Sequence, residues 1–283
     1  MTTMTPDTKP VLLLVGAGEI GLAITRRVGQ DHHILVADRS EEKAQAVTRL
    51  LAEAGFDAEA TTMDLSQRED VVRVVGEAAA AGPLSLLVNA AGVSPSQAPI
   101  ERILAVDLYG TAVLLEEVGR VIAPGGAGVT ISSQSGHRMP ALTPQQDEVL
   151  AMTPPEELLD VDFLQPDRID STLHAYQLAK RCNVKRVMAQ AVAWGERGAR
   201  INSISPGIIV TPLALDEFNG PRGEFYQTMF ARCPAGRPGT ADEVATVAEL
   251  LMSRRGAFIT GSDFLVDGGA TASYFYGPLR PEQ

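Results

Sequence analysis

The sequence predicts an α/β protein, a single doubly wound domain with a seven-stranded parallel sheet and helices on both faces. Short β-branched or leucine-rich runs alternate with longer stretches of helical period, which is the pattern of parallel strands joined by crossover helices. No internal repeat or linker breaks this series across the 283 residues. With 45% hydrophobic residues, the chain is long and apolar enough to fold around one large core.

The strands are predicted from short apolar runs bounded by turn residues, and the helices from apolar residues three or four positions apart. The predicted strands are Pro10–Val15, His33–Ala37, Ala58–Met63, Leu84–Asn89, Gly128–Ser132, Ala199–Ile204 and Ser262–Val266. The predicted helices are Glu19–Val28, Glu41–Ala54, Gln67–Ala80, Ile100–Val121, Thr172–Trp194 and Ala241–Met252.

Two segments do not fit the alternation. Residues 137–171 are rich in proline and acidic residues, and residues 212–238 are rich in phenylalanine, glycine and proline. Each follows a predicted strand, at the carboxyl edge of the sheet where such folds bind ligands. Long connections in compact domains are usually lids or binding loops, so we expect an insertion or lid at 137–171 and a substrate loop at 212–238. Residues 1–9 are expected to be flexible.

The overall charge excludes several classes of partner. A net charge of −11 provides no basic patch for nucleic acid or for an anionic membrane. The polar N-terminus has no signal pattern, and the apolar run 11–15 is too short to span a bilayer, so we expect a cytoplasmic protein. Cys182, in a predicted helix, and Cys233, in a loop, are read as free thiols.

A glycine string follows the first strand. Gly16, Gly18 and Gly21 form G-x-G-x-x-G at a helix start, where glycine permits a tight turn and close approach of backbone to a pyrophosphate. Asp38 lies 17 residues beyond the last glycine, and a carboxylate there can accept the hydroxyls of an adenosine ribose. The carboxylate would also repel a 2′-phosphate and therefore favours NAD, although the neighbouring Arg39 could hold a phosphate or stack on adenine and leaves NADP open.

Polar residues also follow the third and fourth strands. Asp64 could meet the adenine amino group, and Asn89 is followed by small residues that would let a cofactor lie close to backbone. Each residue alone is more typical of a turn.

Tyr176 and Lys180 lie four residues apart on a predicted helix, so both can face one cavity, where the ammonium would favour the phenolate. The same spacing also fits an amphipathic helix with an extended surface lysine.

From Val11 to Gly269, the chain resembles the short-chain dehydrogenase/reductase family, whose domain is of the Rossmann type. The resemblance rests on the glycine turn and on Asp38, Asp64, NAAG at 89–92, VDLYGT at 106–111, ISSQSG at 131–136, Tyr176 with Lys180, SPGIIVT at 205–211 and TGSDFLVDGG at 260–269. It implies that Tyr176 carries the proton, that Lys180 lowers its pKa and binds the nicotinamide ribose, and that Ser133, rather than Ser132, orients the substrate oxygen. The cofactor contacts implied are Gly16, Gly18, Glu19, Ile20, Gly21, Asp38, Arg39, Asp64, Leu65, Asn89, Ala90, Ala91, Gly92, Tyr176, Lys180, Pro206, Gly207, Ile209 and Thr211.

Three features depart from the family pattern. The glycine turn is one residue shorter than the usual form. Asp107 stands where the family has a helix asparagine, and either a proton-relay role or a local role in helix geometry is open. Ser133 and Tyr176 are 43 residues apart, because residues 137–171 lie between them.

The function expected is hydride transfer between NAD, or NADP, and a secondary alcohol or ketone. Leu142, Met152, Leu158, Leu159, Phe163, Leu164, Leu213, Phe218, Phe225, Tyr226, Met229 and Phe230 could line a cavity for a steroid- or terpenoid-like substrate, or could merely pin the loops. The alternatives are a 3-oxoacyl-thioester reductase and a nicotinamide-sensing regulator without turnover. No metal site is expected, and the resemblance implies a homotetramer or a dimer built partly on the Tyr176 helix and the last strand.

Overall fold

The computed structural model describes residues 9–212, 214, 218 and 223–281. Residues 1–8 of the predicted flexible segment lie outside this range, whereas Lys9 forms an ion pair with Asp57 at 3.0 Å. Among the described residues, no helix combines the length and the apolar character needed to cross a bilayer.

The core of the fold is one parallel sheet of seven strands. Its strands are β1 (Val11–Val15), β2 (His33–Asp38), β3 (Asp57–Thr62), β4 (Leu84–Asn89), β5 (Ala127–Ile131), β6 (Arg200–Pro206) and β9 (Asp263–Val266). They lie side by side in the order β3-β2-β1-β4-β5-β6-β9. Two short strands, β7 (Ile209–Val210) and β8 (Gly239–Thr240), pair separately. The predicted sheet is confirmed, and each predicted strand agrees with an observed one to within two residues at either end.

Helices cover both faces of the sheet, because the central strands bury their side chains on both sides. In β1, Leu13 packs into the core on one face while Leu12 and Leu14 pack into the core on the other. The helices are α1 (Glu19–Val28), α2 (Glu41–Glu53), α3 (Arg68–Ala81), α4 (Ile100–Ile103), α5 (Thr111–Val121), α6 (Pro144–Met152), α7 (Pro155–Leu158), α8 (Thr172–Glu196), α9 (Gly223–Ala231), α10 (Ala241–Met252) and α11 (Ala270–Tyr276).

The predicted helix Ile100–Val121 is not continuous. A π-helical segment, Leu104–Gly110, separates α4 from α5 and carries Asp107 near its middle. The prediction of one uninterrupted α-helix is therefore wrong, because the apolar period of this stretch does not reveal a local widening of the helix.

The insertion, residues 137–171, packs against the body of the protein. Its Leu150, Leu158 and Leu164 are buried in a third apolar cluster, together with residues of α8 such as Leu178 and Cys182. Leu158 and Leu164 retain no more than 1% exposure within that cluster, so the prediction that they line a substrate cavity is wrong. Their burial matches the alternative reading, in which apolar residues pin the segment to the body.

Polar contacts also hold the insertion on α8. Asp147 in α6 forms ion pairs with Arg181 at 2.6 Å and Lys185 at 2.9 Å. Cys182 donates to the Leu150 carbonyl at 3.5 Å, and burial raises the pKa of this thiol to about 11. Both cysteines are free, as predicted, and the inert environment of Cys182 gives it a packing role.

Candidate active site

The glycine turn after β1 is shaped by close contact with the loop after β4. Gly16 has φ = +94°, and a Cβ built there would lie 2.5 Å from the Ala91 amide nitrogen. A Cβ on Gly21 would lie 2.7 Å from the Gly16 carbonyl oxygen, whereas a Cβ on Gly18 would meet nothing within 4 Å. Gly16 and Gly21 thus permit the packing of the turn, while Gly18 leaves open space beside the N-terminus of α1.

The difference between Gly16 and Gly18 predicts different costs of adding one methyl group. We expect Gly16→Ala to lower the free energy of unfolding by at least about 2 kcal/mol, because it combines an unfavourable φ with a clash against backbone. Gly18→Ala is the matched control. Its free energy of unfolding, measured in urea without cofactor, should stay within about 0.5 kcal/mol of the wild-type value. Equal destabilisation of the two variants in urea unfolding would contradict this account of the turn.

Asp38 fastens the end of β2 to the glycine turn. One carboxylate oxygen accepts from the Ala17 amide at 2.9 Å, and the other accepts from the Ser40 amide at 2.8 Å. Each oxygen keeps a further lone pair that can accept a hydroxyl. Arg39 is exposed beside it. These positions fit the adenosine end of a dinucleotide.

Asp64 is already occupied by protein partners. Its carboxylate oxygens lie 3.1 and 3.0 Å from an Arg102 guanidinium nitrogen, and one of them also accepts from the amide and hydroxyl of Ser66. Burial opposes the charge, but Ser66 and Arg102 lower the pKa of Asp64 on balance. The neighbouring Leu65 is buried against Gly110. A contact between Asp64 and adenine remains a prediction.

The loop after β4 joins the glycine turn to the Tyr176 helix. Asn89 is buried, and its Oδ1 has no hydrogen-bond partner within the described ranges. Ala90 donates its amide to the Val15 carbonyl at 2.8 Å. A Cβ on Gly92 would lie 3.2 Å from Lys180 Nζ, so only a backbone without a side chain passes this point comfortably. The predicted cofactor residues 89–92 thus lie between the two ends of the site.

Helix α8 places Lys180 beneath Tyr176. The Lys180 ammonium lies 5.3 Å from the centroid of the Tyr176 ring and is 96% buried. Burial alone would lower the pKa of Lys180, but the negative charges of Asp107 and Tyr176 raise it on balance. The interpretation of Lys180 as an extended surface lysine is therefore wrong, and its ammonium lies beside the Tyr176 ring inside the protein.

Asp107 lies on the other side of Lys180. Its Oδ1 accepts from the Val93 amide at 2.8 Å, and its Oδ2 is 3.3 Å from Lys180 Nζ, an ion-pair distance at which the hydrogen-bond geometry is poor. Burial raises the pKa of Asp107, although Lys180 and the Val93 amide act in the opposite direction.

Asn183 is a polar residue of the site that the sequence reasoning missed. In the amide orientation that satisfies its hydrogen bonds, its nitrogen donates to the Asp107 carbonyl at 2.8 Å and to the Ala179 carbonyl at 3.1 Å. Asn183 thus links α8 to the π-helical segment. Its position three residues after Lys180, on the same helix face, is the signal that could have revealed it.

The two serines after β5 have different tasks. Ser132 is buried and donates its hydroxyl to the Lys180 carbonyl at 2.8 Å, which ties β5 to α8. The Ser133 hydroxyl accepts from the Ser135 amide at 3.1 Å, and its own proton has no acceptor in the described part of the chain. These contacts favour Ser133 over Ser132 as the residue that can donate to a substrate oxygen.

The segment after β6 carries the remaining predicted contacts. Gly207 passes so close to β9 that a Cβ there would lie 2.7 Å from the Asp267 Cα, and Ile209 is buried in β7. The Thr211 hydroxyl accepts from the Ala214 amide at 3.2 Å. Phe218, Tyr226 and Phe230 form an aromatic cluster, whereas Leu213 and the side chain of Phe225 lie outside the described residues.

His137 anchors the start of the insertion. Its Nε2 lies 2.7 Å from an Asp263 carboxylate oxygen in β9, and the Ser205 hydroxyl donates to the same carboxylate at 2.9 Å. This contact makes His137 a structural link between the insertion and the sheet.

Within the described ranges, no group of three or more His, Cys, Asp or Glu residues is arranged to hold a metal ion.

The parallel sheet, the glycine turn and the Tyr–Lys helix at its carboxyl edge define a dinucleotide-dependent oxidoreductase. Comparison with known proteins supports this class. The family model described as short chain dehydrogenase matches residues 9–144, and a second, described as Enoyl-(Acyl carrier protein) reductase, matches residues 141–271. The chain belongs to the short-chain dehydrogenase/reductase family.

Individual relatives are similar along nearly the whole chain. A short-chain dehydrogenase/reductase, bsc3, of Alternaria brassicicola is 37% identical over 262 residues, covering 92% of this chain and 95% of its own. A D-threitol dehydrogenase of Mycolicibacterium smegmatis is 31% identical over 281 residues, covering 94% of each chain. A short-chain dehydrogenase/reductase structure from Serratia marcescens matches with a TM-score of 0.74 at 23% identity, covering 94% of this chain and all of that one.

Proposed function

We propose that the protein catalyses reversible oxidation of a secondary alcohol to a ketone with NAD. The observation that carries this proposal is the Tyr176 ring beside the buried Lys180 ammonium, 5.3 Å from its centroid, next to the loop that joins the glycine turn to α8. A phenol beside a buried cation is a suitable proton carrier near neutral pH. NAD, when bound, supplies the acceptor or donor of the hydride.

The chain's own residues provide the proton chemistry. In the oxidation direction, Tyr176 takes the hydroxyl proton of the substrate, and Lys180 stabilises the resulting phenolate. Ser133 donates its free hydroxyl proton to the substrate oxygen, on which negative charge develops. Asn89, Gly92, Pro206, Gly207, Ile209 and Thr211 are proposed to surround the nicotinamide end of the cofactor.

The proposed preference for NAD depends on Asp38. A carboxylate at the end of β2 accepts ribose hydroxyls and repels a 2′-phosphate, although the exposed Arg39 keeps NADP as the second candidate. We expect Asp38→Ala to weaken NAD binding by about tenfold, because the variant loses charge-assisted hydrogen bonds of about 1.5 kcal/mol or more. Calorimetric titration of both cofactors measures this, with Asp31→Ala on an exposed loop as the control. An unchanged NAD affinity would overturn the ribose assignment.

The proposed substrate is a bulky apolar alcohol or ketone, steroid- or terpenoid-like. The support comes from the 212–238 loop, where Met229 and Phe230 line a cleft that extends to Gly207 and Gln134. A polyol is the second candidate, because a relative with 31% identity is a D-threitol dehydrogenase. A 3-oxoacyl thioester is a third, since the family model that matches residues 141–271 is described as an Enoyl-(Acyl carrier protein) reductase.

A substrate panel tests the proposed function. Steroid and terpenoid alcohols, polyols and a 3-hydroxyacyl thioester are incubated with NAD and NADP, and the reduced cofactor is followed by absorbance. Turnover of an apolar ring alcohol is the expected result, and preferential turnover of a polyol would replace it with the second candidate. Cofactor binding without any turnover would instead support a nicotinamide-sensing regulator.

We also propose a homo-oligomer built on the β9 edge. The side chains of Met188, Val192, Phe258 and Leu265 are exposed, and Gly261 brings the loop before β9 close to α8 beside Met188. Elsewhere on α8, the insertion covers Leu178 and Cys182, which favours the dimer over the tetramer among the two expected states. Light scattering that gives the mass of a monomer would contradict the proposed oligomer.

A cytoplasmic location remains a prediction, which microscopy of a tagged chain would test.

A further inference from the structure

Lys180 has a carboxylate partner inside the protein. Asp107 Oδ2 lies 3.3 Å from Lys180 Nζ, and both side chains are at least 95% buried. Oδ1 is engaged by the Val93 amide, so the carboxylate cannot turn away from the lysine without losing that hydrogen bond. The family pattern has an asparagine at this position, which would bring no charge.

Asp107 is held in place by two elements, the loop after β4 and helix α8. In the loop, the Val93 amide donates to the Asp107 carboxylate and Gly92 lies against both Asp107 and Lys180; from α8, the Asn183 side-chain amide donates to the Asp107 carbonyl. Lys180 is held similarly, since its Nζ also lies 3.4 Å from the Ile131 carbonyl of β5. The distance between the two charges is therefore fixed by the fold.

The other charged groups on the surrounding elements have partners of their own, although the Arg102 guanidinium also acts on Asp107 and opposes the burial that raises its pKa. Each belongs to an element packed against the pair: Arg102 on α4 binds Asp64, Arg181 and Lys185 on α8 bind Asp147 of the insertion, His137 binds Asp263 of β9, and Arg138 lies 5.7 Å above the ring of Tyr274 in α11. Among the described residues, Asp107 is thus the carboxylate that faces Lys180 directly.

We infer that Asp107 is a fixed counter-ion of Lys180 and that it sets the pH at which Tyr176 gives up its proton. This inference rests on the proposed function, in which Tyr176 carries the substrate proton. A lone ammonium beside the phenol would strongly favour the phenolate, whereas an ammonium paired with a carboxylate favours it less. Asp107 acts through Lys180 and is a positioning residue, because it holds the lysine and moderates its field at Tyr176.

The first test is the pH profile of alcohol oxidation by Asp107→Asn. The substitution keeps the shape of the side chain and removes its negative charge, so the phenolate is more stable and Tyr176 ionises at lower pH. We expect the acidic limb of the kcat/KM profile to move down by about one pH unit. Asp107→Ala should move it in the same direction. An unmoved limb, or one moved to higher pH, would overturn the inference.

Two control variants separate this effect from others. Glu117→Gln removes a different buried carboxylate, which lies in α5 and pairs with Arg68 at 2.6 Å and Arg120 at 2.7 Å, and its profile should match the wild type. His137→Gln removes the imidazole that contacts Asp263 at the start of the insertion. The shift caused by Asp107→Asn must persist in the His137→Gln background, and its disappearance there would assign it to the histidine and contradict the inference.

The second test does not depend on turnover. Ultraviolet absorbance reports ionised tyrosine, and subtracting the titration of Tyr176→Phe isolates the signal of Tyr176. We expect its midpoint in Asp107→Asn to fall by the same amount as the kinetic limb. If the substrate panel finds no reaction, the proposed function fails while this titration still decides whether Asp107 governs the ionisation of Tyr176. An unchanged midpoint would overturn the counter-ion role.

Discussion

Tyr176→Phe should lower kcat/KM for the alcohol substrate by about 10³-fold while cofactor affinity stays close to that of the wild type. General acid–base catalysis by a positioned side chain contributes about 10² to 10⁴ in rate, and phenylalanine cannot carry the proton. The ring itself would remain packed against the third apolar cluster, so the variant should fold normally. Steady-state kinetics and calorimetric titration of NAD measure the two quantities separately.

The control for this prediction is a tyrosine outside the site. Tyr276, at the end of α11, is 91% exposed, and Tyr276→Phe should leave kcat/KM unchanged. If Tyr176→Phe kept an activity within a few-fold of the wild type, another group would carry the proton. A loss of both turnover and cofactor binding would instead indicate a folding defect.

Leu158→Ala should destabilise the whole fold by about 2 to 5 kcal/mol, because Leu158 is fully buried in the insertion. The same substitution in a mobile lid would lower the free energy of unfolding far less, since a lid is stabilised by few buried contacts. Urea unfolding followed by circular dichroism measures the change.

Met152→Ala is the matched control within the same insertion. Met152 is 66% exposed, and its truncation should change the free energy of unfolding by no more than about 0.5 kcal/mol. If the two variants were equally stable, the insertion would not be part of the core. A loss of activity in Leu158→Ala at full stability would restore a lid function.

The sequence predicts the centre of the sheet well because strands such as β1 and β5 are buried along their whole length. The run 11–15 is apolar throughout and is followed by Gly16, which ends it, whereas β3 and β9 at the two edges of the sheet are only partly buried. The helix through Leu104–Gly110 is less predictable, since a π-helical turn leaves no distinct apolar period. The packing of the insertion was also beyond sequence, because its leucines fit both a cavity lining and a buried cluster.

The residues of the candidate site also fall into those that the sequence predicts and those that it does not. The spacing of Tyr176 and Lys180 predicts that the two side chains lie together, and the glycine string predicts the turn at Gly16, because both follow from local geometry. The occupation of Asp64 by Arg102 and the pairing of Asp107 with Lys180 join residues 38 and 73 positions apart. Such long-range pairs depend on how the elements pack and cannot be read from local pattern.

The third apolar cluster contains Tyr176 at its border as well as the leucines of the insertion. The residue that we propose as the proton carrier and a segment that packs against the body thus share one apolar cluster, and we expect them to behave as one cooperative unit. Partial opening of the protein cannot release the insertion and leave Tyr176 in place. In native-state hydrogen exchange, the amides of α6 and of the first turns of α8 should therefore lose protection together.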